Sequence, residues 1–301
     1  MEIICGKDFS GRTVKDLLAE LKISAKTVTA LKKKPDGITV NGEHVTVRHI
    51  LREGEVLRLN ISDGQSSQNI VPSDLPVEIL FENDSAIAAN KPPFMPTHPS
   101  HGHYDDTLAN ALCHRMNKGG EPFVFRPVNR LDRNTSGVVL VAKDRVCAAS
   151  LSESLQKGAI RKKYLAILEG VPAEKNGKIE TYIRRREESI IYREVCRKSP
   201  DADYALTEYD VLEVANGHAL VCAYPITGRT HQLRLHFAHL GCPILGDDLY
   251  GHESPVIGRQ ALHAFTLTFP CPPTGEEICV RAPLTDDFKE ALLKLGFKYE
   301  Q

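Results

Sequence analysis

The chain has 301 residues, enough for one large domain plus a small one, and its formal net charge of −1 excludes a globally basic nucleic-acid coat protein. Any contact with nucleic acid must use local patches. Lys32–Lys34, Arg161–Lys163 and Arg184–Arg186 are the candidates, although such a run is more often a solvated face. The longest apolar run, Ala219–Tyr224, is far shorter than the roughly 20 residues of a membrane helix. Eight cysteines without a C-x-x-C pair, in a chain with no secretory start, read as reduced thiols of a cytoplasmic protein.

The first predicted unit covers residues 1–61. Val14, Leu17, Leu18 and Leu21 make one apolar helix face, and Ser24 can cap a second helix carrying Val28 and Leu31. Ile38–Val40 and Val45–Val47 read as strands of a hairpin across Asn41-Gly42, and Leu57, Leu59 and Ile61 alternate as a closing strand. Residues 62–75 are polar and rich in Ser, Gln and Asp, the composition of a linker.

Residues 76–301 mix strands and helices. Glu78–Phe81 and Ala86–Ala89 suggest a hairpin, and Leu108, Ala111 and Leu112 a short helix. Val138–Ala142 reads as a buried strand, and Ala148, Leu151 and Leu155 as a helix that Gly158 ends. Tyr164–Leu168 is apolar on both faces and therefore central. Leu206–Val214 and Ala219–Tyr224 pair across Asn216-Gly217. Leu233, Phe237 and Leu240 stripe a helix closed by Gly241, and Leu262–Phe269 is a late strand. Hairpin-connected strands in this order predict an α+β fold with a mixed, mostly antiparallel sheet and flanking helices.

Two segments carry chemistry. Arg126–Gly137 places one carboxylate, Asp132, between Arg130 and Arg133 in a polar turn before a buried strand. An Asp beside Arg stays ionised, as a nucleophilic carboxylate requires, whereas the plainer alternative is a turn Asp bonding the backbone of Thr135 or Ser136. In Thr227–Arg234, Gly228 allows a tight turn and Arg229 falls near a helix start, where a cation wants a carboxylate or phosphate partner.

Asn129–Gly137 resembles the HRLDxxTSG motif of the RluA-type pseudouridine synthases. Gly228–His236, continuing through Leu240–Asp247 to Tyr250-Gly251, resembles that family's later motif. Asn90–Pro93 with His98-Pro99 is similar to its early motif, and Lys162–Leu165 to its third landmark. Four motifs in order, over about 78–283, are far more specific than one.

The resemblance implies isomerisation of uridine to pseudouridine in ribosomal or transfer RNA. Asp132 would be the catalytic carboxylate, Arg229 its partner, and Tyr164 the platform for an extruded uracil and a candidate base. Arg130 would help hold the flipped geometry. Asn129, Arg133, Thr135, His231, Gln232 and Leu262 complete the substrate-binding set so implied. Asn129 replaces the family's usual His, with altered RNA contacts as the expected result. Residues 12–61 resemble the small RNA-binding domain named after ribosomal small-subunit protein four, with Lys26 and Lys32–Lys34 as its thin basic face.

The implied reaction transfers no electrons and loses no group, so no redox cofactor, ATP or metal is expected, and no phosphate-binding glycine motif is present. RNA is the expected partner of a monomer. Attack at C1′, addition at C6 and a glycal route all stay open. His98, His101 and His103, and His231, His236 and His239, lack the spacing favoured for zinc. A non-catalytic RNA binder and a two-carboxylate glycosidase, with Asp247 or Asp248 as second carboxylate, are the competing readings.

Overall fold

The computed structural model describes every residue except 22, 24, 62–66, 68, 69, 119–122, 190, 300 and 301, and all but the side chain of 26. Two sheets organise it. The first contains β1 (Glu2–Ile4), β2 (Ile38–Val40), β3 (Glu43–His44) and β4 (Val56–Leu59), in the order β1-β4-β2-β3. Helices α1 (Val14–Glu20) and α2 (Ala25–Lys32) precede β2. A capping box starts α1: the Thr13 hydroxyl accepts from the Asp16 N–H, and the Asp16 carboxylate accepts from the Thr13 N–H. Val14, Leu17 and Leu18 are buried as their spacing predicts. The expected cap Ser24 lies outside the described residues.

Asn41 (φ 52°) and Gly42 (φ 87°) form the tight turn after β2. A two-residue turn of this kind pairs the residues that flank it directly, so Val40 faces Glu43 and Thr39 faces His44. The predicted strand at Val45–Val47 is therefore displaced: β3 is Glu43–His44, and Val45 and Val47 pack on the small core instead.

The second sheet has eleven strands. They are β5 (Glu78–Glu82), β6 (Ala86–Lys91), β7 (Arg126–Pro127), β8 (Ser136–Ala142), β9 (Arg161–Glu169), β10 (Asn176–Arg185), β11 (Arg193–Cys196), β12 (Asp203–Ala215), β13 (His218–Pro225), β14 (Leu262–Cys271) and β15 (Glu276–Arg281). Nine follow the order β11-β10-β12-β13-β9-β14-β8-β6-β5, with β15 on β14 and β7 on β8. Among the strand pairings of the described residues only β8–β14 is parallel, so the sheet is mixed and mostly antiparallel. Helices α3 (Leu108–Asn117), α4 (Arg145–Gln156), α5 (Gln232–His239) and α6 (Asp286–Lys294) flank it. Tyr164–Leu168 does lie at the centre, buried in β9 between β13 and β14.

The described part of the polar segment after residue 61 runs along this second unit. The Ser67 N–H donates to the Phe123 carbonyl, Ile70 packs on the large core, and the Ser73 N–H donates to the Asn110 carbonyl. Val146 of α4 is buried among the apolar residues of the first unit, so the two units share a contact.

The parallel step between β8 and β14 positions the site. Gly137 lies opposite Ala264 with φ 114°, and a Cβ there would stand 2.2 Å from the Ala264 carbonyl oxygen. Only glycine permits that approach. Gly137→Ala is expected to destabilise the protein by at least about 2 kcal/mol, from positive φ and overpacking together. Urea unfolding checks this: the midpoint falls with an unchanged slope, and a wild-type midpoint refutes it.

Candidate active site

The polar loop between β7 and β8 is fixed through its carbonyls. Thr97 Oγ1 donates to the Leu131 carbonyl (2.8 Å) and accepts the Leu131 N–H. Lys91, fully buried at the end of β6, donates to the carbonyls of Pro92, Met95 and Arg133 at 2.8, 2.7 and 3.1 Å. Burial pushes its pKa down to about 7, while the charge of Asp132 acts the other way. Arg259, also buried, donates to the Asn134 carbonyl (3.1 Å) and forms an ion pair with Asp287 in α6. The Asp132 carbonyl accepts the Thr135 N–H. Every carbonyl from Leu131 to Asn134 thus has a donor, and the Asp132 carboxylate takes no part in closing the turn.

That carboxylate opens into a cavity of about 430 Å³, whose wall includes Tyr164, Lys162, Leu262, His98, Arg130 and the Thr227–Arg234 segment. Its nearest cation is Arg234, whose Nη1 lies 3.6 Å from Asp132 Oδ2. The same guanidinium makes a two-bond bridge to fully buried Asp247 (2.7 and 2.6 Å) and reaches Asp248 at 3.2 Å. It also lies 5.3 Å from the Tyr250 ring centre.

Arg229 does not pair with Asp132, a correction to the partner role that the sequence resemblance implied. It lines the cavity, but its Nη1 meets Asp203 at 3.3 Å and its Nε donates to the Tyr204 carbonyl. The reason is local. Helix α5 begins only at Gln232, leaving Arg229 in a turn against β12, whereas Arg234 lies inside the helix and is buried. Asp247 and Asp248, considered above as second carboxylates, sit around Arg234, so a guanidinium stands between them and Asp132.

Tyr164 comes from the centre of β9 and is 8 % exposed. Burial, and then the Asp132 charge, raise its phenol pKa above the ordinary value. His231 caps α5 with φ 58°, a left-handed conformation unusual for a residue other than glycine. Its Nε2 is 4.0 Å from Asp132 Oδ2 and its Nδ1 is 2.9 Å from the Tyr250 hydroxyl. Burial lowers its pKa, and Asp132 partly opposes that shift.

The remaining expected contacts divide. Arg130, Thr135 and Leu262 line the cavity, Thr135 with its hydroxyl bonded by Gln260. Arg133 is exposed and donates to the Phe94 carbonyl, and it is not part of the wall. Gln232 borders the cavity, but its amide is occupied by Thr227, the Arg229 N–H, Leu206 and Thr207, so it shapes the turn. Asn129 likewise uses its amide within the protein, donating to the Val138 carbonyl and accepting the Leu140 N–H. Both line the cavity wall, and both also satisfy their amides within the protein. His236 is buried between the hydroxyls of Thr181 and Thr207.

Arg234, Lys91 and Arg259 escaped the sequence reading as site residues. For Arg234 the signal comes from packing and not from the chain alone. Six consecutive residues of α5, Gln232–Phe237, are buried, and an arginine inside an all-round buried helix demands a carboxylate. For Arg259 no local pattern distinguishes it from a surface arginine.

Residues 85–239 match the RNA pseudouridylate synthase family. The Bacillus subtilis protein YjbO, named as an RNA pseudouridine synthase, is 36 % identical over 93 % of this chain and 98 % of its own length. A Vibrio cholerae protein named ribosomal large subunit pseudouridine synthase D is 34 % identical over 96 % of this chain and 87 % of its own. Among solved structures, human RNA pseudouridylate synthase domain containing 1 superposes with a TM-score of 0.59 at 28 % identity, covering 72 % of this chain and 87 % of that one. The match over half the chain and the near full-length relatives agree with the ordered motifs around Asp132: this chain belongs to the RNA pseudouridylate synthase family.

Proposed function

We propose that this enzyme isomerises uridine in ribosomal or transfer RNA, with Asp132 as the catalytic carboxylate acting on an extruded nucleotide. The observation that carries this is the wall of the cavity. Among the described residues Asp132 is its one carboxylate, set between a buried guanidinium and a phenol. A uridine in structured RNA must leave its stack before its glycosidic bond can be reached, and Tyr164 and Leu262 offer a flat apolar receptacle. The reaction moves C1′ from N1 to C5 of the same uracil, so it draws on no cofactor. A cytoplasmic monomer is part of this reading. The relatives named for the large ribosomal subunit make ribosomal RNA the first target to test. Mapping pseudouridines in ribosomal and transfer RNA with and without the gene tests it, and an unchanged pattern in both refutes the target class.

Tyr164 has two roles in this scheme. Its ring supports the base. Its hydroxyl stays protonated at neutral pH, because burial and the Asp132 charge both oppose a phenolate. A protonated phenol can take the C5 hydrogen after the new bond forms only by passing its own proton on, and in this reading the Asp132 carboxylate, which shares the cavity wall, receives it.

The first unit, residues 1–61, is proposed as an RNA-binding domain of the ribosomal small-subunit protein four type. Its two helices, its hairpin turn and its closing strand support that reading.

Asp132→Asn is expected to abolish pseudouridine formation while leaving RNA binding and thermal unfolding near wild type. Turnover within a few-fold of wild type excludes Asp132 as catalyst. Tyr164→Phe should bind RNA normally and turn over about 10²–10⁴-fold more slowly, the usual value of a positioned proton-transfer group. Single-turnover rates decide, and a fully active Phe variant removes the relay. Deleting residues 1–61, while keeping Ser67 and Ile70 that pack on the large unit, should leave a folded enzyme. Its RNA affinity should be weaker and its salt dependence shallower. Unchanged affinity and slope would show that the first unit does not bind RNA.

A further inference from the structure

Of the arginines and lysines in the cavity wall, Arg229 and Arg234 are committed to the protein itself, and Lys91 lies behind the wall. Arg234 serves Asp247 and Asp132, Arg229 serves Asp203, and Lys91 serves three carbonyls. Arg130 is exposed to solvent, whereas Lys162 is half-buried. It lies on β9 two residues before Tyr164, so both side chains project from the same face of the strand, and both line the cavity with Asp132. The Lys162 ammonium is half-buried. Among the described residues no carboxylate, carbonyl or hydroxyl engages it. Burial lowers its pKa. Gly228 stands across from it: a Cβ on Gly228 would be 3.7 Å from Lys162 Nζ, so the absent side chain leaves that approach open.

A desolvated ammonium without a partner costs free energy, and a bound anion recovers it. The RNA substrate supplies a fixed anion at each nucleotide, and a uracil supplies none. We propose that Lys162 is a phosphate anchor of the site: its ammonium takes a phosphodiester flanking the extruded uridine and sets how deep the nucleotide sits before Asp132 meets it. The inference rests on the RNA-isomerase reading above. In that arrangement β9 handles both ends of one nucleotide, Lys162 its backbone and Tyr164 its base, two residues apart on a rigid central strand.

The test uses the full-length enzyme and a transcribed ribosomal RNA fragment containing a uridine that depends on this gene, labelled with tritium at uracil C5. Wild-type enzyme must release tritium from this RNA; if it does not, the substrate reading fails whatever Lys162 does. Lys162→Met keeps length and bulk and removes the charge. Its affinity should fall about tenfold or more, the size of a lost hydrogen bond to a charged group. The slope of log affinity against log salt, measured between about 50 and 200 mM, should shrink by about one. Lys162→Arg should restore both affinity and slope. The proposal is overturned by a Met variant with wild-type affinity and slope. It is equally overturned if turnover at saturating RNA collapses while affinity and slope hold, because the ammonium then serves the base. A Met variant that melts well below wild type also overturns it, since Lys162 would then hold the fold; loss of an unpaired half-buried charge should leave the melting temperature unchanged or raised.

Discussion

One guanidinium, that of Arg234, sets the electrostatics of this site. Its two tight bonds go to Asp247, a fully buried carboxylate that also accepts the N–H groups of Leu249 and Tyr250. Removing a partner from such a pair leaves an uncompensated buried charge, so Arg234 and Asp247 hold each other in place. What remains of the guanidinium, Nη1, faces Asp132 at 3.6 Å, beyond a tight hydrogen bond. The asymmetry matters for chemistry. A carboxylate locked in a short two-bond bridge has its lone pairs engaged, whereas Asp132 has a compensating charge nearby and oxygens free to react. Tyr250 completes the assembly, with its ring beside Arg234 and its hydroxyl joined to His231 and the Arg193 N–H.

The second requirement is that Asp132 be held still by something other than its own carboxylate. The loop achieves this through its backbone. Thr97, Lys91 and Arg259 come from different stretches of chain and each takes a carbonyl next to Asp132. Two of the three are buried cations, whose desolvation is tolerable because the donors are saturated: Lys91 by three carbonyls, Arg259 by Asp287, Thr285 and several carbonyls. Gly137 then lets β8 meet β14 at backbone contact, which fixes the far end of the loop. Rigid elements around a reactive group in this way supply orientation before substrate arrives.

Much of this was legible in the chain. Apolar periodicity located α1, α4, α5, β8, β9 and the β12–β13 hairpin, because each buries one face or a continuous run. The ordered motifs brought attention to Asp132 and Tyr164, which share one cavity wall. Less legible were elements whose burial is partial. β10 alternates exposed and buried residues as it runs into three consecutive arginines, β11 is half-buried throughout, and one of the arginines, Arg184, is in fact paired with Glu194. A charge run reads as a surface until the neighbouring strand is known. The same limit applies to cations. Arg229 and Arg234 are five residues apart in one motif, and sequence alone ranks the one in the tight turn above the one in the helix. Tertiary packing reverses that order, because only the helical one reaches a buried carboxylate.

Asn129 illustrates how a departure from the family pattern is to be interpreted. The motif resemblance placed an amide where an imidazole is usual, close to Asp132, and that position suggested an RNA contact. The amide lines the cavity and extends the β8 ladder. Its nitrogen donates to Val138 and its oxygen accepts from Leu140, two residues apart on one strand edge, as a peptide group would. A neutral imidazole also has one donor and one acceptor, but they diverge across the ring and cannot meet a carbonyl and an N–H in the spacing that a planar amide spans. Asparagine at this position therefore ties the start of the Asp132 loop to β8, near the strand that Gly137 seats against β14. The loop is anchored at both ends by backbone pairing and in the middle by buried donors, and the substitution belongs to that scaffold.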